Sequence, residues 1–242
     1  MKMHWSHSGN SRNFGDVLGP TLFRLWGYEV EWAEPADAEI VTVGSIISKI
    51  PNGWRGTILG TGTIRVGITR NLRRARVLAV RGAYTREACY LPKSTPLGDL
   101  GLLAPDLLGA AGSGFREGAD PSGRPAASNP VGVLGHHIDR DIASRHPGAL
   151  VIGIRSGPAE IVAAAATCER LFVSSLHALI LADALGIPHV LEPHPGVIGG
   201  LWKFMDYGSS MGVRIEPNVE RLTDRGIIVE KQAELRRLVS LI

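Results

Sequence analysis

The sequence predicts an α/β fold whose parallel sheets divide between two lobes, and three observations carry that reading. Short apolar runs recur along most of the 242 residues without polar alternation, the pattern of strands buried on both faces. Helical patterns lie between them, as the crossovers of parallel strands require. One segment, 112–130, breaks the rhythm: ten of its nineteen residues are Gly, Pro or Ser, and it lacks apolar periodicity. It reads as a linker between an N-terminal lobe over 1–111 and a C-terminal lobe over 131–242. Each lobe is then about 110 residues, compact for an independent α/β unit.

The elements follow in order. Asp16–Trp26 is helical, with Asp16 suited equally to capping that helix or contacting a ligand. Glu39–Val43, Thr57–Leu59 and Arg76–Val80 read as strands, and Ala83–Tyr90 as the helix after the third. Beyond the linker come strands Val131–Leu134 and Leu150–Ile154, then a helix over Pro158–Glu169. The stretch Leu171–Val190, LFVSSLHALILADALGIPHV, is the most informative. A strand ends at Val173, Ser174 stands where an N-cap belongs, a helix runs over Leu176–Leu185, and Gly186 supplies its stop before strand His189–Leu191. Such a corner lies at the carboxyl end of a parallel sheet, where ligands collect, and its free amides suit a phosphate or carboxylate. His177 sits in the first helical turn, where the dipole disfavours a cationic ring.

Composition excludes several classes. Hydrophobic residues are 44% and charged residues 20%, the balance of a chain with a sizeable core. The net charge is +3 and aromatics are only 6%, too little for the basic, aromatic-interleaved stripe of a nucleic-acid binder. Two cysteines, Cys89 and Cys168, rule out a disulfide framework or a cysteine zinc site. No apolar run reaches the roughly 18 residues that span a bilayer, and no secretion-signal pattern opens the chain. The expectation is a cytoplasmic protein, with basic helices such as Glu230–Ile242 suited to peripheral contact at the inner membrane face.

Six motifs, in order, resemble those of the polysaccharide pyruvyltransferase family. They are NFGDVL at Asn13–Leu18, VRGAYTRE at Val80–Glu87, GDLGLL at Gly98–Leu103, GHHID at Gly135–Asp139, SSLHAL within the stretch above, and LWKFMDYGSSMGV at Leu201–Val213. The resemblance implies two facing Rossmann-like lobes in the glycosyltransferase-B manner, with the active site in the cleft. It implies phosphoenolpyruvate as donor, a saccharide or lipid-linked saccharide as acceptor, a pyruvate ketal as product, and no metal or organic cofactor. His177 is then a general acid or base. Arg81, directly after a strand, and Arg86, one turn on, are expected to hold the donor's carboxylate or phosphate, and Lys203 to stabilise departing phosphate. Asn13, Asp16, Asp99, His136, His137, Ser174 and Ser175 are expected to bind substrate. His136 and His137 are expected to point to opposite sides of a strand end. His189, Glu192 and His194 lack tight metal-ligand spacing.

The chain departs from the family pattern at Ser175, where many relatives carry an arginine assigned to the donor, and at Leu100, which replaces a proline. Two other readings therefore stay open: a nucleotide-sugar glycosyltransferase of the same fold, and a non-catalytic protein of glycan assembly.

Overall fold

The computed structural model describes residues 1–6, 13–110 and 125–242, and two five-stranded sheets organise them. The first sheet contains β1 (Lys2–His4), β2 (Glu31–Trp32), β3 (Ile40–Val41), β4 (Thr57–Leu59) and β5 (Arg76–Ala79), in the spatial order β2-β1-β3-β4-β5 with every pair parallel. The second contains β6 (Asn129–Leu134), β7 (Leu150–Val151), β8 (Cys168–Val173), β9 (His189–Leu191) and β10 (Glu220–Arg221), in the order β10-β9-β8-β6-β7. It is parallel except for β10, which joins β9 antiparallel at the edge. These are the two Rossmann-like lobes of the expected α/β class.

The helices are α1 (Phe14–Leu25), α2 (Ala83–Ala88), α3 (Leu107–Ala110), α4 (Ile142–Arg145), α5 (Pro158–Ala166), α6 (Leu176–Leu185), α7 (Trp202–Ser210) and α8 (Arg225–Val239). A 3-10 helix over Leu100–Asp106 leads into α3. Of the expected linker, residues 112–124 lie outside the described residues, and β6 reaches back into its end at Asn129. The helix expected over Pro158–Glu169 stops at Ala166, because Cys168 and Glu169 already belong to β8.

The core does not divide cleanly between the sheets. Phe14, Leu18 and Leu22 of α1 pack in one continuous cluster with Leu100, Leu102 and Leu103 and with Ile161, Ala165 and Leu179 of the second lobe. At the chain's end α8 returns over the first lobe, where Gln232 Nε2 donates to the Leu102 carbonyl at 2.9 Å and Lys231 Nζ to the Leu97 carbonyl at 3.0 Å. At the centre is α6, apolar around nearly its whole circumference, as a fully enclosed helix must be. Nine of its ten residues are buried, and the exception is His177. Gly186, at φ 64°, ends the helix in the left-handed conformation that glycine adopts without strain.

The order of the second sheet reverses between β6 and β8, since the chain steps from β6 outward to β7 and then back past β6. In open parallel sheets the crevice outside such a reversal is the natural ligand site. Gly135, His136 and His137 line it beyond β6, and Ser174 beyond β8.

Candidate active site

The two strand ends are tied together. The backbone N–H of His136, beyond β6, donates to Ser174 Oγ at 2.8 Å, beyond β8. Ser174 is therefore spent on the corner and is not the cap expected of it. The cap is Ser175, whose backbone is extended (φ −116°, ψ 151°) and whose Oγ accepts the Ala178 N–H at 3.2 Å. With its hydroxyl so used, Ser175 does not replace the arginine that it displaces.

His177 points out of the buried helix with its side chain 13% exposed. Its Nε2 is turned inward, without a hydrogen-bond partner, 3.8 Å from Asp99 Oδ2, which is also buried and unpartnered. Burial first, and then the charges of Arg81 and Lys203, push its pKa down to about 3, so the ring is neutral at neutral pH. Lys203, in the first turn of α7, is only 7% exposed and makes no ion pair among the described residues. Burial, then Arg81, lowers its pKa to about 8 against the opposing pull of Asp16. A buried ammonium without an ion pair among the described residues, acting on a neutral imidazole, makes a site short of negative charge.

The first turn of α1 closes the other side. Asn13 is the N-cap residue and Asp16 stands inside the helix, so Asp16 does not cap it; instead Asn13 Nδ2 donates to Asp16 Oδ2 at 3.1 Å. Burial raises the Asp16 pKa, while the Asn13 bond and the charges of Lys49, His137 and Lys203 oppose the rise. His136 and His137 do not diverge. Their rings lie 4.2 Å apart, because β6 ends at Leu134 and strand alternation no longer applies. Burial and the neighbouring His137, Lys203 and His194 push His136 down to about 4. Two cavities of ≈ 300 Å³ flank the corner, one lined by Ser174, His194 and Phe204, the other by His136, His137, Arg140 and Arg155.

A family model described as polysaccharide pyruvyl transferase matches residues 58–192, more than half of the chain. The chain belongs to the polysaccharide pyruvyl transferase family. No curated protein matches it. The matched stretch carries Arg81, Asp99, His136, His137, Ser174, Ser175 and His177; Asn13, Asp16 and Lys203 lie outside it and join the site through the geometry above.

Two expected donor contacts of this pyruvyl transferase are occupied elsewhere. Arg81 is wholly buried: Nε donates to Asp206 Oδ2 at 2.9 Å, Nη1 to Ser45 Oγ at 2.6 Å, and Nη2 to the Thr63 carbonyl at 2.6 Å. It touches the site through its field and not through contact. Arg86 directs its guanidinium to the Lys93 carbonyl at 2.8 Å, in the loop after α2, and is not brought to His177. The VRG and DY motifs thus form a latch between lobes. Thr85 donates from its N–H to Asp206 Oδ1 at 2.8 Å and from Oγ1 to Oδ2 at 2.6 Å. Gly82 leaves room for it, since any Cβ there would collide with the Asp206 backbone carbonyl. Trp202 Nε1 adds a bond to Thr63 Oγ1 at 3.1 Å. In the sequence Asp206 appears only as part of a motif, and Ser45 and Thr63 are not singled out, because nothing local marks them as partners of an arginine 125, 36 and 18 positions away.

Other candidates serve the scaffold. Glu192 accepts from Arg145 Nε at 3.0 Å and faces His146 Nε2 at 2.9 Å, while Arg145 also grips Asp139 with both Nη atoms. His189 is buried against the Ile187 carbonyl. Among the described residues no group of three His, Cys, Asp or Glu side chains is placed to hold a metal ion. Nor is any helix among them long and apolar enough to cross a membrane.

Proposed function

We propose that this family member transfers the pyruvyl carbons of phosphoenolpyruvate onto two hydroxyls of one sugar in a polysaccharide or glycolipid, giving a pyruvate ketal and phosphate. The observation that carries the reading is the neutral imidazole of His177 within the field of the buried ammonium of Lys203, which has no ion pair among the described residues. A compact trianion relieves both, by pairing with Lys203 and by raising the pKa of His177 toward the working range.

The chemistry asks for little else. A proton adds to the methylene carbon and leaves an oxocarbenium-like centre at the neighbouring carbon, where a first hydroxyl attacks. The C–O bond to phosphate then breaks and a second hydroxyl closes the ketal. The two hydroxyl protons account for the new methyl hydrogen and for the proton on hydrogen phosphate, so no net proton is consumed. His177 moves protons, Lys203 meets the departing phosphate, and Asn13, Asp16, His136 and His137 face the acceptor.

The test is phosphate release from phosphoenolpyruvate with a panel of glycosides, together with mass analysis of the sugar product. Phosphate and a pyruvylated sugar should appear in equal amounts. Phosphate accompanied by free pyruvate, or a melting shift with nucleotide-sugars and none with phosphoenolpyruvate, would overturn the proposal.

A further inference from the structure

We propose that Asp99 is a positioning residue that holds His177 at Nε2, and that His177 exchanges protons with the substrate through Nδ1. The substrate's name rests on the pyruvyl-transfer reading; the roles of the two nitrogens rest on the geometry of the pair and the burial of Asp99.

Asp99 caps the 3-10 helix, and its Oδ1 accepts the Gly101 N–H at 2.8 Å. Only Oδ2 is left, sealed and unpartnered, and the one other sealed and unpartnered atom facing it is His177 Nε2 at 3.8 Å. A shift of about 0.8 Å brings them to ordinary hydrogen-bond distance. No other described group satisfies either atom, so each is the other's partner.

Nδ1 is the opposite case. Among the described residues it has no hydrogen-bond partner, and it is not one of the sealed, unpartnered atoms. It lies against the first turn of α1, where a Cβ on Gly15 would collide with it. Across the ring, a Cβ on Gly101 would stand 3.6 Å from Cδ2. The glycine of NFGDVL is therefore the residue that lets Nδ1 approach the first turn of α1, which also carries Asp16. In the more familiar arrangement a carboxylate holds Nδ1 and Nε2 does the chemistry; here the two nitrogens exchange roles.

The surrounding charges keep one proton on the pair. Arg81, from the end of β5, and Lys203, from α7, oppose a cationic ring, while Asp206, also from α7, opposes a second carboxylate. Tyr207 of α7 is buried nearby, with its hydroxyl committed to Asp183. Burial lifts Asp99 to about 7 against the pull of Arg81 and of the Gly101 bond. When Asp99 is protonated its O–H donates to Nε2, and Nδ1 carries the ring's proton. Delivering that proton to the methylene carbon breaks Nδ1–H, while the Asp99 proton passes to Nε2. When a hydroxyl then surrenders its proton to Nδ1, Nε2–H returns its own to Asp99. The cycle closes without a net proton.

The experiment is a pH series of imidazole ¹⁵N spectra on the full ¹⁵N-labelled chain, with His177 assigned by its loss in His177→Gln. At pH 8.5 Nε2 should carry the proton, and between pH 8 and 6 the proton should move to Nδ1 without the ring becoming cationic. Asp99→Asn, whose amide donates to Nε2, should fix the proton on Nδ1 at every pH and lower kcat about 100-fold with KM for phosphoenolpyruvate little changed. Nδ1 protonated at pH 8.5 in the native chain would overturn the proposal, and the native series decides this even if Asp99→Asn does not fold. The expected tautomers without phosphate release from any glycoside would sink the reaction and leave the pair standing.

Discussion

Arg81 Nε donates to Asp206 Oδ2 at 2.9 Å, joining residues 125 positions apart with both side chains fully buried. The bond locks the turn after β5 to α7, and α7 is the helix that presents Lys203. The latch therefore sets the position of Lys203, a buried cation with no ion pair among the described residues.

Removing one partner of such a pair strands the other as an uncompensated buried charge. Arg81→Met should lower stability by about 3–5 kcal/mol in urea unfolding, and adding Asp206→Leu should restore most of it. If Arg81 held the donor instead, Arg81→Lys would raise KM and leave the unfolding midpoint in place.

Ser175 is predicted to matter to α6 and not to the donor. Ser175→Ala removes the acceptor for the Ala178 N–H and should cost about 1 kcal/mol of stability, with turnover within about twofold of the parent. A fall in kcat without a fall in stability would return Ser175 to the reacting groups.

Lys203 gives a pH signature. Its folded pKa of about 8 lies below the ordinary 10.5, so between those values the unfolded chain binds more protons than the native one. Native stability should therefore rise with pH across that window, the cost of the buried ammonium being fully present below pH 8. Lys203→Met should flatten the rise and stabilise the protein at pH 7 by on the order of 3 kcal/mol. It should also abolish the melting shift expected from phosphoenolpyruvate under the proposed function. Equal pH–stability curves for the two proteins would contradict the burial of this cation.

The parts of the fold legible in the sequence were those with internal periodicity. Strand Thr57–Leu59, helix Leu176–Leu185 and strand His189–Leu191 fall where the apolar pattern places them. β1, β2 and β10 were missed because two or three residues make no pattern: in β1 only Met3 and His4 are buried, and in β10 both residues are polar. The corner at Ser174–His177 was visible because strand, cap, helix and stop follow one another without interruption. What stayed hidden was commitment to distant partners. An arginine after a strand looks alike whether it faces a cleft or, as Arg81 does, a buried aspartate in another lobe. The orphaned Asp99–His177 pair is of the same kind, since a turn-closing aspartate reveals only one of its two oxygens.

In the proposed reaction His177 moves protons to and from a bound donor. Phosphate release by His177→Gln tests that role most directly, measured alongside the melting temperature of the same variant with and without phosphoenolpyruvate. Turnover should fall by roughly 100-fold or more while the shift is retained, because Lys203 still meets the anion. Undiminished turnover in that variant would contradict the account.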